Sequence, residues 1–462
     1  MKKRYYAVLA LAAALSLGNA GISAMAAAGW AQEGNTWVYY NSSGSRVTNA
    51  WRQGADGYWR YLNSSGVMAV DSWVDNDDYY VDASGIMISG KWLQVTNTNT
   101  DKGYDYYYFN QNGKNVKNKW EQIDNKWYHF GDAGAMETGW LLDNMYYCDP
   151  NGVMLTGWQK LDPPDEYAST KDHLGPFETA SDDMCWYYFT TSGKKVVPDE
   201  NSNYDNIKQK KINGVYYCLR DDGAMQVGWV CVTGDDSDTI EDYRYVDNNG
   251  QVRVGWYSVE PPEDLMSNYE HDVEWFYFNN RGVPKVGPAK GAAKTSDLVK
   301  INGNTYLFDD AGVPVYGLQK VYTNSDESEY TAYYFGNRQQ SSMLKGKFNI
   351  DDSGTSRAYY FSSTGKGYTG VYDNYLYYMG KLQKASSGSK YEVFTIYTSN
   401  GNPKNYVINT SGHIAKNTTV KDNDGVKYKT NSGGVLVKED GEDPDGGVYL
   451  SPEEPDWDLG QD

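Results

Sequence analysis

The chain of 462 residues has only four histidines and four cysteines, and neither type is spaced for chemistry. His129, His173, His271 and His413 are dispersed, and Cys148, Cys185, Cys218 and Cys231 form no CxxC pair. No HExxH, GxSxG, GxGxxG or P-loop spacing occurs, which removes the enzyme classes that depend on those motifs. Cys185 and His173 have none of the surroundings of a thiol protease. Carboxylates are plentiful, so counting alone does not exclude a glycosidase pair. No non-repetitive stretch, however, is long enough to build a separate catalytic domain around one. The acidic clusters at 75–78, 234–238 and 442–447 lack the spacing of a twelve-residue calcium loop and read as solvated turns. The expectation is a non-enzymatic chain without cofactor or metal.

Positive charge is also scarce. Lys and Arg number 42 against 61 Asp and Glu, a formal charge of −19. Such a surface repels phosphate backbones and makes nucleic acid a poor partner. Long apolar runs are missing after the first 28 residues. Lys2, Lys3 and Arg4 precede an apolar run, Ala7 to Leu17, too short to span a bilayer, and small residues follow with cleavage sites at 24–26 or 26–28. Residues 1–28 therefore read as a signal peptide, whose loss takes the charge to about −22. No cysteine follows the apolar run, and the C-terminal segment has neither an apolar tail nor a basic end. The mature chain is expected to be secreted, without a transmembrane anchor, and held at a surface by non-covalent binding. Export permits disulfides, but Cys148 and Cys218 stand where other copies carry aromatic residues. All four cysteines read as small apolar fillers, with Cys218–Cys231 as the pairing if one forms.

What the chain does have is aromatic: 44 tyrosines and 15 tryptophans, punctuated by 48 glycines. One phrase recurs, in "KWYHFGDAG", "MYYCDPNG", "WYYFTTSG" and "WFYFNNRG" among others: strand-forming aromatics, then a polar turn ending in glycine. Twelve such glycines are Gly44, Gly66, Gly85, Gly113, Gly134, Gly152, Gly193, Gly223, Gly250, Gly282, Gly312 and Gly365. A short second strand follows the turn and in eight copies closes on a tryptophan, at Trp51, Trp73, Trp92, Trp120, Trp140, Trp158, Trp229 and Trp256. A lone hairpin buries too little apolar surface to stand by itself. Stacked hairpins share their aromatic faces. The expected fold is all-β, a solenoid of stacked β-hairpins with long loops inserted between some repeats. Phe109, Phe130, Phe189 and Phe278 are expected in its core.

The phrase resembles the choline-binding, or cell-wall-binding, repeat of Gram-positive surface proteins, most closely in "GAMETGW" (134–140) and "GVMLTGW" (152–158). Glucan-binding repeats share much of it. The resemblance implies ligand sites made of the closing Trp, the first aromatic of the next strand and a Tyr one hairpin further on. Carried onto this sequence, the sites are Trp120, Trp127 and Tyr146; Trp51, Trp59 and Tyr79; and Trp92, Tyr106 and Tyr128. A fourth is Trp256, Trp275 and Tyr306, interrupted by an acidic insertion. Two further sets depart from the pattern: Trp30 and Trp37 meet Arg60, and Trp73 meets Asp78. Met68, Met87, Met136, Met154 and Met225 are candidates for pocket floors or for core. Three aromatic faces attract a quaternary ammonium, and repetition adds avidity on a polymer. The implied partners are choline-bearing, teichoic-acid-type polymers or other cell-wall glycans. α-Glucan binding by the same platforms, and a purely structural or adhesive solenoid, remain open.

The sequence divides into regular repeats at 29–160, repeats with long acidic insertions at 161–286, degenerate repeats at 287–435 and an acidic tail at 436–462 expected to be disordered. In the degenerate stretch the closing-Trp position is held by Pro288, Leu318 and Val371. The insertions at 159–184 and 258–274 are expected to project from one side.

Overall fold

The computed structural model describes residues 28–100, 102–167, 184–198, 208–233, 236–352, 354–397, 401–444 and 449–457. The segment expected to be a signal peptide, up to residue 27, and most of the 159–184 insertion lie outside them. The described residues fall into two compact units, one drawn from 28–159 and 188–195, the other from 160–187 and 196–457.

The first unit is a row of antiparallel two-stranded hairpins. They pair Gly29–Glu33 with Thr36–Tyr40, Ala50–Gln53 with Trp59–Leu62, Ser72–Val74 with Tyr79–Val81, and Lys91–Thr96 with Tyr104–Phe109. Lys119–Ile123 with Lys126–Phe130 and Gly139–Leu141 with Tyr146–Cys148 complete the series. Buried clusters are small and shared by neighbours, such as Tyr61, Val74 and Val81, or Val116, Ile123 and Phe130. Stability in such an array is close to a sum over adjacent repeats. Phe109, Phe130, Phe189 and Phe278 are buried, as expected.

The phase of the hairpin differs from the sequence reading. The closing Trp does not end a hairpin; it begins the next one. Trp120 pairs with His129 across a turn at Asp124 and Asn125, whose φ angles are 50° and 63°. Two successive positive φ values mark the tight turn whose twist suits a hairpin, and Asp and Asn tolerate it. The glycine turn instead connects one hairpin to the next, and beyond it only a single bridge forms, Phe130 to Met136.

The twelve turn glycines have φ between 71° and 89°, and several are hemmed in as well. A Cβ on Gly152 would lie 2.2 Å from the Met136 sulfur of the preceding hairpin, and one on Gly193 the same distance from Met154. Glycine is thus required there twice, by backbone conformation and by the approach of a neighbour.

The second unit continues with hairpins as far as Leu318–Tyr322 with Tyr330–Tyr334. It then departs from the repeat. Residues 346–382 form a five-stranded sheet in the order 346–352, 355–361, 381–382, 375–378, 370–372. A long hairpin, Tyr391–Tyr397 with Pro403–Asn409, and a three-stranded sheet over 419–439 follow. The described part of the acidic tail is ordered, contrary to expectation. Leu436–Glu439 is a strand, Leu450 exchanges backbone hydrogen bonds with Val393 and Thr395, and Trp457 packs beside the core cluster of Leu318 and Tyr359. A few apolar anchors, spaced among the charges, supply what composition alone conceals.

The 258–274 insertion does not project freely either. Its short helical turn, Glu263–Asn268, drives Leu265 into a cluster with Ile240, Tyr243, Phe276 and Phe278. The Tyr269 hydroxyl donates to the Ala311 carbonyl at 3.0 Å. All four cysteines are buried and unpaired, so the Cys218–Cys231 bridge is absent. Burial pushes the Cys148 and Cys218 thiols up to about 12, which leaves both protonated and inert.

Candidate functional site

Strand register brings two aromatics of each hairpin onto one face. Trp120 lies opposite His129 and Gln122 opposite Trp127, so Trp120 and Trp127 are diagonal neighbours, about 7–8 Å apart along the backbone. The same diagonal joins Trp51 to Trp59, Trp92 to Tyr106, and Trp256 to Trp275. The outer member is open to solvent in every case: Trp59 is 44% exposed, Tyr106 37%, Trp127 41% and Trp275 45%.

The third ring comes from the next hairpin. Tyr146 stands 5.3 Å from Trp120 between ring centres, Tyr79 5.2 Å from Trp51, Tyr128 4.9 Å from Trp92 and Tyr306 4.9 Å from Trp256. Tilted or edge-on packing at these separations is favourable in itself, so each inner Trp–Tyr pair forms a fixed corner beside the exposed ring. The structure thereby brings the sequence-predicted trios together at the level of paired corners and shared faces. Around Trp256, Trp275 and Tyr306 the three rings line one hollow of about 350 Å³.

A backbone strut fixes the exposed ring. The N–H groups of Met87, Met136 and Met154 donate to the carbonyls of Trp59, Tyr106 and Trp127 at 2.8–2.9 Å. Each methionine belongs to the following hairpin, and its side chain packs on the next turn glycine: Met87 on Gly113, Met136 on Gly152, Met154 on Gly193. The methionines therefore flank the three-ring stations while locking one hairpin to its neighbours.

Other stations are closed by the protein itself. Beside Trp73 the outer position is Asp78, which binds Lys117 at 2.9 Å and Lys114 at 3.2 Å. The Lys117 hydrogen bond, then Lys114, hold its carboxyl below the usual range. At Trp140 the methionine position is Lys195, whose ammonium lies 4.6 Å from the ring centre. At Trp229 the outer residue, Tyr243, is buried beneath Leu265 of the 258–274 insertion. Arg60, beyond Trp30 and Trp37, is held by both oxygens of Asp56 and supplies no ring.

Comparison with known families matches residues 27–73 to the choline-binding repeat, and residues 118–136 and 297–313 to the putative cell wall binding repeat. Over those three segments the chain carries the sequence of choline-binding, cell-wall-binding repeats. Glucosyltransferase-S of Streptococcus mutans is 26% identical over 319 residues, which is 64% of this chain, and the chain spans only 18% of that protein's length. Among solved structures, CbpJ of Streptococcus pneumoniae is 21% identical, with a TM-score of 0.37, covering 68% of this chain and 99% of its own. Choline binding protein F of the same organism, solved with a peptidoglycan analogue, is 20% identical, with a TM-score of 0.37, covering 69% of this chain and 98% of its own.

Sequence reading of these repeats missed the residues that fill stations rather than form them. Lys195 is visible as a lysine at a methionine position. Arg338, which lines the fourth hollow, carries no such signal, because it arrives from a loop two hairpins further along. Among the described residues no group of His, Cys, Asp and Glu is arranged to hold a metal ion, and no helix is long and apolar enough to cross a membrane.

Proposed function

We propose that the chain is a non-catalytic, secreted cell-wall-binding protein. It attaches to choline-decorated envelope polymers of the teichoic-acid type through four aromatic cages, and remains non-covalently bound to the wall. The reading rests on one recurring arrangement: an exposed ring diagonal to a tryptophan that is cornered by a tyrosine of the next hairpin. A trimethylammonium group brings charge without hydrogen-bond donors, and ring faces are its natural partners. Each face contributes on the order of 0.5–2 kcal/mol, depending on desolvation. One cage binds weakly, and several on one chain gain by effective concentration when the ligand is a polymer.

The test is retention on a quaternary-amine resin, followed by washing with salt and then with free choline. Elution by choline but not by salt supports the proposal. A chain that salt removes was held by its negative charge alone, and the proposal then fails.

A second reading, α-glucan or other carbohydrate binding, is favoured by the likeness to Glucosyltransferase-S, and sugar rings also stack on Trp and Tyr. Retention on dextran with indifference to choline selects it. Retention on neither support leaves a structural or adhesive solenoid.

A further inference from the structure

The fourth cage is built differently from the other three. Pro314 stands at the strut position beyond its turn glycine, and proline has no N–H to donate. The hollow is bounded instead by the segment 338–342, together with Asn304. This segment belongs to an expanded turn: Asn337 and Gln340 form a local bridge, and Met343 donates to the Thr305 carbonyl at 2.7 Å. The wall facing the three rings thus carries amides, two serine hydroxyls and the Arg338 guanidinium. Arg338 is the one ionised side chain among the lining residues.

Arg338 is held from behind. Its Nη2 donates to the Val273 carbonyl and, at 3.4 Å, to the carboxylate of the buried Glu274. Among the described residues its Nε and Nη1 have no protein partner. Five donors in a fixed plane suit an anion with several acceptor oxygens, and one edge of that plane is already anchored. A bare quaternary ammonium entering this hollow meets three ring faces and also a like charge. The volume, about 350 Å³, lies at the lower end of small-molecule sites, roughly 300–1,000 Å³, and leaves room beyond a trimethylammonium head.

We propose that Arg338 makes the Trp256–Trp275–Tyr306 hollow selective for zwitterionic ligands, a quaternary ammonium bearing an anionic arm, over the bare cation. The ammonium rests on the rings while the anionic oxygens take the free edge of the guanidinium. The proposal rests on the cage reading above and adds a specificity that the other three cages lack.

The experiment uses the full chain with Trp59→Ala, Tyr106→Ala and Trp127→Ala, which removes the exposed ring of each other cage, and measures binding of choline, phosphocholine and isomaltotriose by calorimetry. Phosphocholine is expected to bind about tenfold more tightly than choline, the scale of one added charge-assisted contact. Arg338→Gln is expected to abolish that ratio without weakening choline, and Arg338→Lys to retain part of it. Equal affinities in the chain with Arg338 intact, or a ratio that survives Arg338→Gln, overturn the proposal. So does isomaltotriose binding as tightly as phosphocholine, which assigns the wall to sugar hydroxyls. The same comparison in the otherwise unaltered chain, Arg338→Gln against Trp275→Ala, guards against misfolding of the triple variant: the first must lower only phosphocholine affinity, the second both. If the unaltered chain is not eluted from the quaternary-amine resin by choline, the cage reading itself has failed. If it is eluted and the ratio is absent, only the role of Arg338 has.

Discussion

The ammonium of Lys195 lies 4.6 Å from the ring centre of Trp140, in a station where neighbouring hairpins carry methionine. The protein supplies its own cation to a ring whose counterparts in the proposed cages have none. This station also lacks the exposed aromatic, since Met145 holds the outer position, and the Lys195 N–H donates to the Met145 carbonyl. Lys195→Met alone is expected to cost about 1 kcal/mol of stability through the lost cation–ring contact and to leave choline stoichiometry unchanged. Lys195→Met with Met145→Trp rebuilds the arrangement and is expected to raise the stoichiometry by one. Calorimetric titration of both variants checks this.

Trp127 and Phe308 separate binding from folding. Trp127 is 41% exposed and Phe308 1%. Trp127→Ala is expected to lower choline affinity at its cage while shifting the urea midpoint little, as surface substitutions do, within about 0.5 kcal/mol. Phe308→Ala is expected to cost roughly 3–5 kcal/mol of stability. Equal effects of the two on choline retention at matched folded fraction would show that only global stability was being read.

Gly152 and Gly139 separate conformational strain from crowding. Both have φ near 80°, but a Cβ on Gly152 meets the Met136 side chain while one on Gly139 meets open space. Gly139→Ala is expected to cost about 1 kcal/mol from backbone strain. Gly152→Ala adds overpacking and is expected to cost about 1–3 kcal/mol more. In a double-mutant cycle with Met136→Ala, the extra cost should largely disappear in urea denaturation.

Asp309 gives the second unit a pH dependence. Burial raises its carboxyl from 3.8 to about 6, with Asp310 and Glu274 adding to the effect against a hydrogen bond from the Val313 N–H. Between those two values the folded state holds a proton that the unfolded chain has released, so this group lowers stability as pH rises from about 4 to about 6 and contributes no slope above. Asp309→Asn keeps an acceptor for Val313 and removes the slope. At pH 7 the variant is expected to be more stable than the parent, by on the order of 2 kcal/mol. Denaturation profiles that run parallel from pH 4 to 7 would contradict it.

Much of the fold was readable because the repeat is written in residue types with few alternative uses. Aromatic triplets before Asx–Gly turns specify short strands, and their spacing specifies neighbours. The hairpin phase was not readable from the glycines, because Gly134 and its counterparts satisfy any turn with positive φ. The deciding signal was the shorter one, Asp124–Asn125 or Asn302–Gly303, where two consecutive positive φ values are needed. The aromatic trios were legible as types and spacing. Which of them leave an exposed ring was not, since Lys195, Leu265 and Arg338 act across hairpins, and their effect depends on burial and reach. The ordered tail was hidden for a similar reason: Leu450 and Trp457 are isolated anchors in an acidic stretch, and composition averages them away.

The most direct test is the stoichiometry of choline binding to the purified chain, measured by calorimetry or equilibrium dialysis. Four sites per chain are expected, with Trp59→Ala, Tyr106→Ala, Trp127→Ala and Trp275→Ala each removing one and leaving the remaining three unchanged. A stoichiometry indifferent to all four substitutions, or no saturable binding at all, would show that these exposed rings do not form cages.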